Sequence, residues 1–303
     1  VRRVLSVRFA PCALFVTGVL ALIRAGSFSG RSHWATVWPQ RPTAMLELVA
    51  ATAAGAAVLG LLVQPFQVRA VRVLEGYWDR WPLTARLAGF LARVQRRRWR
   101  ALQRRAVASA DDDTDRRVRA DARRRLAVRP AVEVQLPTAL GNALRAGELS
   151  AGERYGLTTL PSWPRIYLQV SERLAEVLGS ARDTLDGAVN LCWAFSALSV
   201  LGVVALHDEP SAWWLCLVGL MLAAVAYKGA VTAAQAYSGL MHIVYDLHRF
   251  DLLDALHYPL PADPASAEAL FAELSDEFAG RRPRRRPYDQ ASSAGPEAES
   301  PEG

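Results

Sequence analysis

The sequence predicts an all-α fold: four transmembrane helices in two hairpins, with an α-helical cytoplasmic domain between spans two and three. Three observations predict it. Four apolar stretches, Val4–Ile23, Met45–Val63, Ala188–Leu206 and Ala212–Tyr227, run to 16–20 residues each, against the roughly 20 that a helix needs to cross a hydrocarbon core about 30 Å thick. They form two pairs, each joined by a short connector, on either side of the polar segment 65–187. The basic residues avoid one set of loops and crowd the other.

The first stretch opens on Arg2, Arg3 and Arg8. A cleaved signal peptide is the competing reading of that start, but no small-x-small site precedes Arg24, and cleavage would leave three spans. The second and third stretches have 19 residues each with only Glu47 as a charge. The fourth is short unless it borrows Lys228 and the alanine-rich turns behind it. In the second span, Ala51 with Gly55 and Ala56 with Gly60 are small-xxx-small pairs that let backbones approach. This predicts a packed, central helix. Trp34, Trp38, Trp213 and Trp214 read as interfacial anchors. Cys12, Cys192 and Cys216 all lie in apolar stretches and read as small packing residues.

Orientation follows from the charges. Segment 65–187 holds 23 arginines against 14 carboxylates, and the tail adds Arg281, Arg282, Arg284, Arg285 and Arg286. The connector His207–Ser211 has no Arg or Lys, and Arg24–Thr43 has three. Basic short loops stay in the cytoplasm. Both termini and the middle segment are therefore expected in the cytoplasm of a multi-pass protein of the cell inner (plasma) membrane. The expected domains are a first transmembrane hairpin (1–64), a cytoplasmic basic helical domain (65–187), a second transmembrane hairpin with a cytoplasmic helical extension (188–260), and a largely disordered C-terminal tail (261–303). The basic residues are 35 arginines and one lysine, Lys228. That ratio reflects coding bias more than guanidinium chemistry, so the net charge of +7 does not indicate nucleic-acid binding.

Within the middle segment, Val71, Leu74 and Trp78 share a helical face, and Trp81-Pro82 starts a new helix with proline in its first turn. Leu83, Leu87, Phe90, Val94 and Leu102 continue an apolar stripe. Residues 65–105 carry 11 arginines and two acids, whereas 106–187 carry 12 of each, so all the excess is juxtamembrane. Such clusters gain about 1 kcal/mol per basic residue near an anionic leaflet. Arg93, Arg96, Arg97, Arg98 and Arg100 are thus candidate contacts to anionic lipid headgroups. Asp111, Asp113 and Asp115 imitate the first ligands of a calcium loop, but Arg116 and Ala122 stand where glycine and the closing glutamate belong. The run reads instead as an Asp-capped charged helix ending before Pro130.

Two amphipathic helices continue out of the second hairpin. Leu174, Leu178, Ala181 and Leu185 lead into the third span; Ala234, Ser238, Met241, Tyr245, Leu252 and Leu256 follow the fourth, ending at Pro259. A short helix near Ala265–Phe278 comes next, then a Ser, Pro, Glu and Gly-rich end.

The block LPTALGNALRAGE (Leu136–Glu148), ERYGL (Glu153–Leu157) and WPRIY (Trp163–Tyr167) is distinctive. With ARDTLD before the third span, YDLHRFDLL (Tyr245–Leu253) after the fourth and EGYW (Glu75–Trp78) after the second, it resembles a family of uncharacterised bacterial four-span integral membrane proteins, best represented among actinobacteria. The resemblance implies architecture and bacterial origin and carries no activity. Read physically, Thr138 caps a helix with Leu140 and Leu144 buried, Gly156 permits a turn, and Trp163-Pro164 makes an extended corner. Arg145, Glu148, Glu153, Arg154 and Arg165 are candidates for an ion-pair network that clamps this corner. Asn142, Arg154, Tyr155 and Arg165 could alternatively form a ligand or anion site.

The sequence has no GxxxxGK[ST] loop, HExxH site or CxxC pairs, and Gly26–Gly30 reads GSFSG with Phe28 in the nucleophile position. His242, Asp246 and His248 do not share one helical face, which argues against a metal site. No cofactor, metal or catalytic residue is expected, and the chain does not read as an enzyme. Two function classes remain. One is a membrane anchor or scaffold whose cytoplasmic helices bind protein partners or anionic lipid. The alternative is an oligomeric ion channel with a pore on the symmetry axis, a homo-oligomer whose topology, though not its motifs, resembles bestrophin-type anion channels. Thr52, Asn190, Ser196 and Ser199 keep the channel in view.

Overall fold

The computed structural model describes residues 2–109 and 112–281. Asp111, the tail beyond Arg281, and the side chains of Arg2, Arg3 and Arg8 lie outside the described residues. The described chain is helical throughout: α1 (Arg2–Arg24), α2 (Pro42–Val63), α3 (Gln67–Glu75), α4 (Pro82–Val107), α5 (Asp113–Ala127), α6 (Ala139–Glu148), α7 (Thr159–Ile166), α8 (Glu172–Ala205), α9 (Trp214–Ala255) and α10 (Pro264–Phe278). Three helical runs are long and apolar enough to cross a membrane, Pro42–Glu75, Glu172–Ala205 and Pro210–Ala255, and Phe9–Arg24 is a shorter apolar helix. At 1.5 Å per residue the 42-residue α9 is about 63 Å long, twice the thickness of a hydrocarbon core. The chain divides into two compact units, Val1–Ala143 with Gly179–Ala236, and Leu144–Leu178 with Tyr237–Gly303.

In the first unit, glycines bring apolar helices together. A Cβ on Gly55 of α2 would meet Val16 Cγ1 of α1 at 3.0 Å. One on Gly18 of α1 would meet Leu198 of α8 at 2.6 Å, and one on Gly202 of α8 would meet Cys216 Sγ of α9 at 3.1 Å. The packed stripe of α2 is Thr52, Gly55, Ala56, Leu59 and Gly60, whereas Ala51, Leu46, Val49, Val58, Leu61 and Leu62 are exposed. Helix α2 is therefore peripheral rather than central. Its small residues are spread around the helix, but only those recurring every three to four positions can meet α1. The connectors 25–41 and 206–213 also meet: the Ser32 amide donates to the Glu209 carboxylate, and Ser27 Oγ pairs with Ser32 Oγ at 2.7 Å.

Helix α3 ends at Gly76 (φ +97°), a left-handed conformation that glycine adopts at little cost. Thr138 then works from both sides. Its hydroxyl donates to Glu75 O (2.7 Å) and accepts from Gly141 N (3.0 Å), so it caps α6 and ties it to the end of α3. Helix α4 starts at Pro82, as its N1 proline predicts, and packs on α5, with Ala88, Ala92 and Ala106 buried and Trp99 half-buried. This is the face opposite the expected stripe: Leu83 is 76 % exposed and Phe90 55 %. Alanine allows close helix approach, while Leu83, Leu87 and Phe90 of the expected stripe are left exposed and Val94 and Leu102 are half-buried. Helix α5 is capped by Asp112, whose carboxylate accepts from Thr114 N.

The second unit has its own core of Leu157, Ile166, Leu178, Tyr245, Leu252, Leu253, Leu270, Phe271 and Leu274. Helix α10 enters through a capping box, with Asp263 accepting from Ala265 N and Ser266 N. Trp163-Pro164 is not an extended corner: both residues lie within α7. Tertiary packing overrides the pre-proline preference here. Ile166 and Ser162 are fully buried and the Trp163 ring stacks on Tyr245 at 6.2 Å.

Candidate functional site

Around ERYGL, the second unit gathers a two-layered polar network. The short turn Glu153–Tyr155 ends at Gly156, whose φ of +80° reverses the chain. This projects Arg154 and Tyr155 toward α9. There Asp246 receives both: Arg154 Nη2 at 2.5 Å and Tyr155 Oη at 2.5 Å. Arg249, one turn on, lies 4.3 Å over the Tyr155 ring and 4.5 Å over the Phe250 ring, and it donates to Asp246 O. The hydrogen bond to Asp246 raises the Tyr155 phenol above its ordinary value, with burial adding to it.

A second layer lies beneath. Glu153 accepts from Thr159 N (3.1 Å) and Thr159 Oγ1 (2.6 Å), and Thr159 Oγ1 in turn accepts from Gly152 N (2.8 Å). A carboxylate at the first turn of α7 also complements the helix dipole. The Tyr245 hydroxyl donates to Thr159 O (3.0 Å) and pairs with Ser162 Oγ (2.8 Å). Burial pushes its phenol up to about 12. Both phenols thus hold their protons more tightly than free tyrosine, the wrong direction for a general base near neutral pH.

The remaining expected residues go elsewhere. Asn142 spends its amide on Leu136, accepting from its N–H (2.7 Å) and donating to its carbonyl (2.9 Å). Arg165 lies 4.2 Å over the Phe278 ring and donates to Pro161 O at 2.6 Å. Arg145 and Glu148 are half-buried on the last turns of α6. A cleft of about 450 Å³ opens between Arg154, Tyr155 and Arg249 on one side and Asp263, Pro264 and Glu268 on the other. Two of its charges are committed: Arg154 to Asp246, and Asp263 to the α10 cap, whose Ser266 and Ala265 donors hold that carboxyl below its usual range. Chemically this is a clamp that joins the 150s turn, α9 and α10. His242 bonds Ser238 O and Ser150 Oγ, and His248 pairs with Asp251 at 2.7 Å. Among the described residues no three His, Cys, Asp or Glu side chains gather to hold a metal.

The other candidate region is α4. Arg93, Arg97, Arg98 and Arg100 are exposed as expected, while Arg96 is half-buried and its Nε lacks a partner among the described residues. Arg93, Arg97, Arg100 and Arg104 follow steps of four, three and four, making one cationic edge beside the exposed Leu83, Leu87 and Phe90. Arg97, Arg100, Gln103 and Arg104 frame an open groove on that edge. Arg129, from the end of the α5 region, is shifted down by burial and by the nearby charges of Arg98 and Arg125. Arg98, Arg125 and Arg129 therefore lie close enough to repel one another. Sequence spacing could have revealed the arginine edge, but not which face of α4 is covered.

No protein-family model, curated protein or solved structure matches the chain.

Proposed function

We propose that this chain is a four-span integral membrane protein of a bacterial inner (plasma) membrane, with both termini cytoplasmic. It serves as a non-enzymatic anchor or scaffold whose cytoplasmic helices dock on anionic lipid and present a surface to protein partners. The carrying observation is the free face of α4, with exposed Leu83, Leu87 and Phe90 followed by the Arg93, Arg97, Arg100 and Arg104 edge. An apolar stripe flanked by arginines suits the boundary between acyl chains and headgroups. The contact between Ser32 and Glu209 supports four spans, because it places the two hairpin connectors together at one end of the apolar helices. Within the apolar stretches 45–63, 188–206 and 212–227 the exposed residues, such as Val58, Val200 and Met221, are apolar apart from Glu47, which suits lipid contact.

The channel alternative draws no outward polar stripe from this arrangement. Ser199 is buried against Gly219 and donates to its own helix at Phe195 O, and Thr52, Asn190 and Ser196 are half-buried.

The test is lipid preference of the purified full chain in neutral detergent, read by native mass spectrometry. Phosphatidylglycerol is expected to be retained over phosphatidylcholine. Replacing Arg93, Arg97, Arg100 and Arg104 by Gln is expected to abolish the difference, at about 1 kcal/mol per arginine. Equal retention of both lipids by the unmodified chain would overturn the lipid-docking role. Light scattering corrected for detergent adds the oligomeric mass, and a closed ring of four or more protomers would bring the channel back.

A further inference from the structure

A cavity of about 300 Å³ opens in the first unit, bounded by α1, the end of α2, the start of α3 and the middle of α8. Its walls are hydrocarbon, from residues such as Phe15, Leu59 and Ala194, interrupted by three amides, Gln64, Gln67 and Asn190. Gln67 is the anomaly. It is 7 % exposed, one of two buried residues on α3, and its Nε2 is buried with no hydrogen-bond partner among the described residues. Leaving a buried amide donor unpaired costs about 1–3 kcal/mol, a large fraction of a typical net stability. Polar groups in such positions are normally satisfied, and each exception calls for a missing partner.

The cavity volume is about ten times the roughly 30 Å³ share of one water, room for a larger molecule. The volume lies at the lower bound of small-molecule sites, about 300–1,000 Å³. No ionised side chain lines it, so nothing there would compensate a phosphate or carboxylate. Amides can both donate to and accept from a hydroxyl, and can donate to an ester carbonyl.

We propose that this cavity is a binding site for an uncharged amphiphile, with its hydrocarbon chain against Phe15, Leu59 and Ala194 and its hydroxyl or ester carbonyl at Asn190 and at Gln67, whose buried amide turns into the cavity when the ligand enters. The site rests on the reading that the apolar helices cross a bilayer, which is what would deliver such a ligand laterally. It is separate from the α4 face, which selects by charge.

The experiment uses the full chain in phosphatidylcholine nanodiscs with a diazirine-bearing hexadecanol. Adducts are expected on peptides carrying Cys12–Phe15, Leu59–Gln67 or Asn190–Ala197, and excess hexadecanol is expected to suppress them. Gln67→Leu is expected to lower capture about tenfold, the equivalent of one lost hydrogen bond. Ala197→Phe, at an exposed lining position, is expected to block entry. As a readout independent of these variants, hexadecanol is expected to protect Cys12 from a membrane-permeant maleimide in a Cys192→Ser, Cys216→Ser chain. Ether-linked discs separate the sources: stronger alcohol capture there identifies lipid ester as the resident group, and unchanged capture identifies a free alcohol. Adducts spread over the exposed faces of α2 and α9 and indifferent to competitor would overturn the site. Equal capture of the matching diazirine fatty acid would overturn the uncharged-head assignment. Failure of the chain to incorporate into nanodiscs would instead overturn the membrane reading beneath it.

Discussion

Tyr245 offers the sharpest perturbation of the clamp. Its side chain is fully buried, its hydroxyl bridges Thr159 O and Ser162 Oγ, and burial pushes the phenol up to about 12. An unfolded tyrosine ionises near 10. The folded state therefore binds this proton more tightly, and its contribution is complete below about pH 10 and lost as pH rises through about 12. A difference of about two units is worth about 3 kcal/mol. Tyr245→Phe keeps the stack on Trp163 and removes the titrating group. At neutral pH the variant is expected to lose only about 1 kcal/mol, because Ser162 Oγ keeps its bond to Thr158 O at 2.6 Å and no donor is orphaned. Its stability is expected to fall less steeply than that of the unmodified chain from about pH 10 to about pH 12. Thermal unfolding of the detergent-purified protein, followed by tryptophan fluorescence across that range, measures both slopes. Parallel alkaline losses in the two proteins would refute the argument that a buried, protonated Tyr245 supports this unit.

Asp246→Asn removes the charge shared by Arg154 and Tyr155. Since that ion pair is 41 % exposed on each side, the expected loss of stability is below about 1 kcal/mol, while tyrosinate difference absorbance is expected to show Tyr155 ionising at lower pH. Gly156→Ala combines a left-handed φ of +80° with a Cβ 2.8 Å from Glu268 O. A loss of about 2–4 kcal/mol is expected, visible as faster proteolysis in the segment that links α9 to α10. For topology, Ala108→Cys and Arg31→Cys, both at exposed positions in a cysteine-free chain, are expected to label oppositely with an impermeant thiol reagent. Labelling of Ala108→Cys from outside intact cells would reverse the orientation and remove the α4 face from the anionic inner leaflet.

Local chemistry made some elements legible. Pro82 opens α4, Asp112 caps α5, Thr138 caps α6, and α10 falls within a residue of its expected start, because proline φ and side-chain caps act over three or four positions. The candidate site was legible in pieces. Arg154 and Tyr155 stand out in the ERYGL block and Asp246 in the later helix, yet nothing local says that they meet 91 or 92 residues apart. The Glu153–Thr159–Tyr245 layer and the unpaired Gln67 carry no sequence signal, since a buried glutamine reads the same as an exposed one.

By itself, the sequence determined that the chain is helical, where its apolar runs lie, and which segments carry net positive charge. These depend on composition and on periodicities of three to four residues. Tertiary structure alone decided which face of each helix is covered. It turned α4 onto Ala88, Ala92 and Ala106 and left Leu83 and Phe90 outside, set α2 at the periphery, and kept Trp163-Pro164 helical against the Tyr245 ring. The reason is that an amphipathic pattern offers more apolar surface than one neighbour can cover. Close approach of the backbones, not hydrophobicity, chooses among the faces.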